Sequence, residues 1–250
     1  MEVIVKGENI MKAKDKLIVA LDFDTKEKAI DMIQKLETDV EIFKVGLELY
    51  LASKGKVVEY LHEKGRKVFL DLKFMDIPNT AAGAAREATK MGVFMFNVHV
   101  PGGKQMMISA REAVEQVAVG GQPKPLLIGV TVLTSLDQND LSQLGITQDV
   151  KDLVIARAKL AKEAGLDGVV ASPKEASEIK NACGKEFISV CPGIRPTWAA
   201  TGDQKRIMTP KDAINQGASY LVVGRPITGA DDPAEAARKV LEEMEEGFKC

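Results

Sequence analysis

The residues best placed to do chemistry are Asp71 and Lys73, which follow the apolar run Val68-Phe69-Leu70 and precede Asp76. Residues two apart in a strand share a face, so Asp71 and Lys73 are expected to project together from a strand's C-terminal end, with Asp76 a few residues on in a loop. Two acids and an amine then gather where an apolar strand stops. Desolvating such groups is costly unless each charge meets a counter-charge or hydrogen bonds. Taken alone, a D-x-K pair is also compatible with a solvated ion pair at a strand end.

The elements that must position these residues follow from hydrophobic periodicity. Apolar runs at 17–21, 41–46, 68–70, 94–98, 126–130, 168–171, 187–190 and 220–223 read as strands, most of them apolar throughout as expected of strands buried on both faces. Between them lie segments with helical spacing. Ala29, Ile30, Ile33 and Leu36 follow a capping-box-like start at Asp24 and Glu27, and 81–90 is rich in Ala, Arg and Glu. Asp232-Pro233 opens the last helix. Gly65, Gly92, Gly165 and Gly217 each end a helix shortly before the next apolar run.

Eight strand-helix units, with no Gly-rich dinucleotide turn after the first strand, predict a single-domain α/β fold, a (β/α)8 TIM barrel over residues 16–250. Residues 1–15 are expected to form a short N-terminal extension, since they mix Lys and Glu with short apolar pieces and read as neither signal peptide nor membrane anchor.

Composition narrows the function. The 250 residues are 45% hydrophobic, and 34 basic against 36 acidic residues leave a net charge of -2, so nothing attracts nucleic acid or an anionic membrane in general. Cys183, Cys191 and Cys250 form no CxxC pair, which fits a reducing, cytoplasmic setting and no structural metal. His62 and His99 lack metal-ligand spacing. His62 reads as a surface residue, and His99 closes the fourth strand as either a structural group or a site neighbour.

Barrel active sites form at the C-terminal ends of the strands. The polar residues there are Asp22, Lys44, Asp71, Lys73, Asp76, His99, Thr134, Ser135, Arg195 and Arg225. Neighbouring strands two and three bring Lys44 beside Asp71 and Lys73, giving a Lys-Asp-Lys-Asp array if Asp76 reaches it. The loops after strands seven and eight, the usual phosphate site of this fold, carry Arg195, Gln204 and Gly224-Arg225. Gly224 permits close backbone approach and Arg225 adds a bidentate charge, so a phosphorylated small molecule is expected.

From Lys16 onward the chain resembles the orotidine 5'-phosphate decarboxylase family of the compact bacterial type. The matching pieces are Ala20-Leu21-Asp22, Lys44-Val45-Gly46, the run Asp71-Leu72-Lys73-Phe74-Met75-Asp76-Ile77-Pro78-Asn79-Thr80, Thr134-Ser135, Pro192-Gly193-Ile194-Arg195, Gln204-Lys205-Arg206 and Val223-Gly224-Arg225-Pro226-Ile227. One position departs: Met75 stands where the family pattern usually has His, and altered loop packing is expected there.

The resemblance implies decarboxylation of orotidine 5'-monophosphate to uridine 5'-monophosphate and CO2, with neither metal nor organic cofactor. It implies Lys73 as proton donor to C6, Asp71 near the departing carboxylate, and Lys44 and Asp22 on the ribose. Thr134 and Ser135 would meet the pyrimidine, Ile77 would be a further substrate contact, and Arg195, Gln204, Gly224 and Arg225 would hold the phosphate. Asp76 and Thr80 would serve the neighbouring site of a homodimer. The segment 193–206, with Trp198, is the candidate lid. Two other readings remain at this point. A sugar-phosphate decarboxylase or aldolase-like synthase shares the D-x-K-x-x-D core but uses Mg²⁺, and a silent barrel would only bind a nucleotide. The continuation from Asp76 to Thr80, together with Gln204, favours the nucleotide enzyme.

Overall fold

A computed structural model describes residues 13–199 and 208–249. Of the expected extension, residues 1–12 lie outside that range. Eight parallel strands close into a barrel in chain order: β1 (Leu17–Leu21), β2 (Ile42–Gly46), β3 (Lys67–Phe74), β4 (Met95–His99), β5 (Leu126–Val130), β6 (Gly168–Val170), β7 (Ile188–Cys191) and β8 (Tyr220–Val223), with β8 pairing back onto β1. Helices α1 (Lys26–Leu36), α2 (Leu47–Ser53), α3 (Lys56–Glu63), α4 (Pro78–Lys90), α5 (Lys104–Val119), α6 (Gln138–Gln143), α7 (Val150–Glu163), α8 (Ala176–Cys183), α9 (Pro210–Asn215), α10 (Arg225–Thr228) and α11 (Pro233–Phe248) fill the connections. The predicted TIM barrel is the fold observed.

Two cores hold it. Ile18, Ala20, Ile42, Phe69, Met95, Ile128, Val190 and Val222 fill the barrel interior, while a larger set packs the outer strand faces against the helices. Alternation along a strand decides which residues come next on the inward face. Above Ile18 and Ala20 comes Asp22; above Ile42, Lys44; above Phe69, Asp71; above Met95, Asn97. The apolar plug thus ends in a polar layer at the C-terminal mouth.

Two helix starts differ from expectation. The N-cap of α1 is Thr25, whose backbone is extended and whose hydroxyl accepts from the Lys28 N–H, while Asp24 pairs with the Lys28 ammonium at 2.8 Å. Helix α4 begins at Pro78 rather than near residue 81, because proline suits the first helical position and lacks the N–H that would be orphaned there. Among the described residues no helix is long and apolar enough to cross a membrane.

Candidate active site

The polar layer lines a cavity of about 290 Å³ at the barrel mouth, bordered by Asp22, Lys44, Asp71, Lys73, Thr134, Ser135, Arg195, Gly224 and Arg225 among others. Its floor is apolar, with Ala20, Phe69, Val130, Val170 and Val222. Nine of the residues expected at the site are therefore brought together by one closed sheet.

Asp71 is the hub. It is 8% exposed, and both of its oxygens face ammonium groups: Oδ1 accepts from Lys73 Nζ at 2.7 Å, and Oδ2 lies 3.3 Å from Lys44 Nζ. Lys44 also donates to Asp22 Oδ1 at 2.9 Å, which extends the chain of charges to the more exposed rim. The strand register explains the reach, since Gly46 pairs with Asp71 and Lys44 with Phe69, one layer below. Gly46 lies close beneath the array: a Cβ there would stand 3.2 Å from Lys44 Nζ, so the ammonium would have to shift by a few tenths of an ångström.

Burial pushes the Asp71 carboxyl up, but the charges of Lys44 and Lys73 and hydrogen bonds from Lys73 and Asn97 together outweigh it and hold the group below the usual carboxylate range. Burial likewise pushes Lys44 down, and the charges of Asp71 and Asp22 reverse the balance and raise it. Asp71 and Lys44 thus favour their charged forms together, and the Lys73 amine sits on the other Asp71 oxygen.

Opposite this array the loops after β7 and β8 supply cations. Arg195 is 9% exposed, and burial, then the nearby Arg225 charge, lower its pKa. Two guanidiniums that repel each other at one cavity edge suit an anion placed between them. Gly193 turns that loop with φ of 77°, a conformation a Cβ would strain. A Cβ on Gly224 would come within 3.8 Å of Asp22 Oδ2, at the cavity rim.

Not every expected residue is gathered. Asp76, Ile77 and Thr80 are exposed and do not line this chain's cavity; the Asp76 carboxylate instead accepts from the Ile77 N–H at 2.6 Å, just ahead of α4. Within one chain the array is therefore Lys-Asp-Lys, and the fourth charge does not join it. Strand alternation also fails at Lys73, whose φ is 52°. Asp71 and Lys73 meet because the backbone turns there, rather than by simple projection from one face. Gln204 lies outside the described residues, as does the part of the candidate lid from 200 onward. Met75 is 54% exposed and packs towards Gly102. Among the described residues no group of three or more His, Cys, Asp or Glu side chains is placed to hold a metal ion.

One residue was missed. Asn97, buried on β4, donates from Nδ2 to Asp71 Oδ1 at 2.7 Å and accepts the Lys73 backbone N–H on Oδ1 at 2.8 Å. An Asn inside the apolar run 94–98, two residues after an inward Met95, was the available signal. His99 ends β4 half-buried; burial and Lys73 lower its pKa and Asp71 opposes them.

Residues 15–240 match the model of the "Orotidine 5'-phosphate decarboxylase / HUMPS family". The chain belongs to that family. It is 51% identical to the orotidine 5'-phosphate decarboxylase of Moorella thermoacetica over 237 residues, covering 94% of each chain. It is 50% identical to that of Syntrophotalea carbinolica, covering 94% of this chain and 97% of the relative. The crystal structure of orotidine 5'-phosphate decarboxylase from Lactobacillus acidophilus superposes with a TM-score of 0.81 at 38% identity, covering 92% of this chain and 98% of that one. Within the orotidine 5'-phosphate decarboxylase / HUMPS family, then, the cavity at the barrel mouth is the place to look for chemistry on a phosphorylated substrate.

Proposed function

We propose that the chain decarboxylates orotidine 5'-monophosphate to uridine 5'-monophosphate and CO2, the closing step of de novo pyrimidine synthesis, without metal or organic cofactor. The observation that carries this reading is Asp71, clamped between the ammonium groups of Lys44 and Lys73 and facing Arg195 and Arg225 across one cavity. Loss of CO2 from C6 leaves an electron pair that the ring delocalises poorly. Stabilisation must come from placed charge rather than an electron sink.

Lys73 supplies that charge and then the proton. As the C6–carboxylate bond breaks, its electron pair stays on C6, CO2 departs, and a Lys73 N–H proton passes to C6; the neutral amine left behind regains a proton from water. Asp71 holds the ammonium in place and lies where the substrate carboxylate would sit, disfavouring the ground state. Lys44 and Asp22 take the ribose hydroxyls, Thr134 and Ser135 the pyrimidine, and Arg195, Gly224 and Arg225 the phosphate, with Gln204 and Ile77 as further contacts.

Cofactor independence has a physical basis in the same residue. A carboxylate whose two oxygens already hold ammonium groups is a poor metal ligand, which weighs against a Mg²⁺-dependent sugar-phosphate reaction in this family. Product analysis decides between them. Orotidine 5'-monophosphate should yield uridine 5'-monophosphate and CO2 in equal amounts, and turnover of a hexulose phosphate in its place would overturn the assignment.

The reading includes a homodimer in which Asp76 and Thr80 complete the partner's site. Support comes from their exposure beside Ile77, 68% exposed, and Met75, and from Leu47 and Leu51 on α2, 54% and 72% exposed, after the neighbouring strand. Apolar side chains so exposed favour a covering surface. Mixing inactive Lys73→Ala with inactive Asp76→Ala chains under exchange should restore about a quarter of parental activity, since half of the dimers are hybrids with one intact site. No recovery above the separate variants would contradict site sharing. A cytoplasmic location accords with Cys183 and Cys191, which are free and buried, the Cys191 thiol being pushed up to about 12 by burial.

A further inference from the structure

The backbone at Lys73 is not that of an ordinary strand. Pairing between β3 and β4 runs Leu70 with Phe96 and resumes only at Phe74 with Val98, so four steps on β3 face two on β4. The surplus residues bulge, and Lys73 takes φ of 52°. The other non-glycine residue of positive φ among those described, Lys54, merely caps the C-terminus of α2. At Lys73 no helix end calls for the left-handed conformation, which side chains with a Cβ rarely adopt and which persists only where the surroundings impose it.

Asn97 sits opposite the bulge, between the two paired positions on β4. Its Oδ1 takes the Lys73 N–H, which the broken ladder leaves without a strand carbonyl, while its Nδ2 holds the Asp71 oxygen that also receives Lys73 Nζ. The amide orientation is dictated by its partners, because a backbone donor needs an oxygen and a carboxylate needs an N–H. One side chain thus fixes both the main chain of the amine and the carboxylate that aims it.

We propose that Asn97 is a positioning residue for decarboxylation, one that sets the Lys73 ammonium at C6 by clamping the Lys73 backbone and Asp71 at once. Asn97 lies outside the lining of the cavity, so it acts through the other two rather than on substrate. An aspartate in its place keeps size and acceptor but turns a carboxylate oxygen on Asp71 in place of the donor.

The proposal rests on the decarboxylase reading and is tested in the full chain with Asn97→Asp and Asn97→Ala, measuring kcat and KM for orotidine 5'-monophosphate and Kd for uridine 5'-monophosphate. Both variants are expected to bind the product within about threefold of the parent while kcat falls about 100-fold, the cost of misplacing a reacting group by an ångström. If Asn97→Ala does not fold, the isosteric Asn97→Asp decides alone. A kcat within about threefold of the parent in a variant that binds product normally overturns the proposal. So does product affinity lost in step with kcat, or failure of both variants to fold, which would make Asn97 structural only. An inactive parent chain would instead fail the decarboxylase reading, and this inference with it.

Discussion

Lys73→Ala is expected to lower kcat for orotidine 5'-monophosphate by a factor on the order of 10⁵ to 10⁶, as when the central group of a catalytic unit is removed. That corresponds to about 7–8 kcal/mol of transition-state stabilisation. On the proposed reading one ammonium has two duties, offsetting negative charge at C6 and delivering the proton, and Lys44, the other described lysine lining the cavity, is not placed to take over. Lys44 Nζ is committed to Asp71 and Asp22 on the far side. The fold should survive the change. Asp71 keeps Lys44 and Asn97 as partners, and alanine bears the same left-handed backbone as lysine. Uridine 5'-monophosphate should still bind, which separates lost chemistry from lost structure. Turnover retained in this variant would remove Lys73 from the reaction.

Arg225→Ala should produce the next largest effect although it lies across the cavity from the reacting carbon. On the proposed reading the phosphate is held by Arg195, Arg225 and the backbone at Gly224, remote from C6, so its binding energy would matter only by organising the rest of the site. A loss of about 2–5 kcal/mol in kcat/KM is expected, roughly 30- to 5,000-fold, towards the lower end because Arg225 is exposed in the open cavity. The nucleoside orotidine, which lacks the phosphate, should be turned over equally by parent and variant. Unchanged kinetics on the nucleotide would take Arg225 out of the phosphate site.

Much of this site was legible before any coordinates because a closed parallel barrel obeys a simple rule. Apolar runs buried on both faces mark the strands, and the first polar residue after each run lands at the mouth. Asp22, Arg195 and Arg225 were reached that way, and Lys44 from its place near the end of the second run; the cavity lining contains all four. The rule fails where backbone geometry departs from the ideal strand. Nothing in Asp71-Leu72-Lys73 announces a bulge or a left-handed lysine, since both arise from the register against β4. Asn97 escaped for a related reason: a polar residue inside an apolar run marked it as unusual, but its two hydrogen bonds to a neighbouring strand are encoded in no local pattern.

Helix starts show the local version of the problem. Thr25 and Asp24 are both good caps, and the choice was made by Lys28, which engages the Asp24 carboxylate and leaves the threonine hydroxyl for the backbone. Asp76 is different again. Its place one loop beyond β3 was foreseen, but within a single chain its carboxylate accepts from the Ile77 N–H and does not line the cavity, and it is the proposed homodimer that would give it a role.

The central claim is that a fixed pattern of lysine and aspartate charge removes CO2 without help from a metal. Its most direct test is the initial rate at which chelator-dialysed protein, in excess EDTA, lowers the long-wavelength ultraviolet absorbance that distinguishes orotidine 5'-monophosphate from its product. The account predicts a rate equal to that of undialysed protein and unchanged by added Mg²⁺. A rate that collapses in EDTA and returns with Mg²⁺ would contradict it.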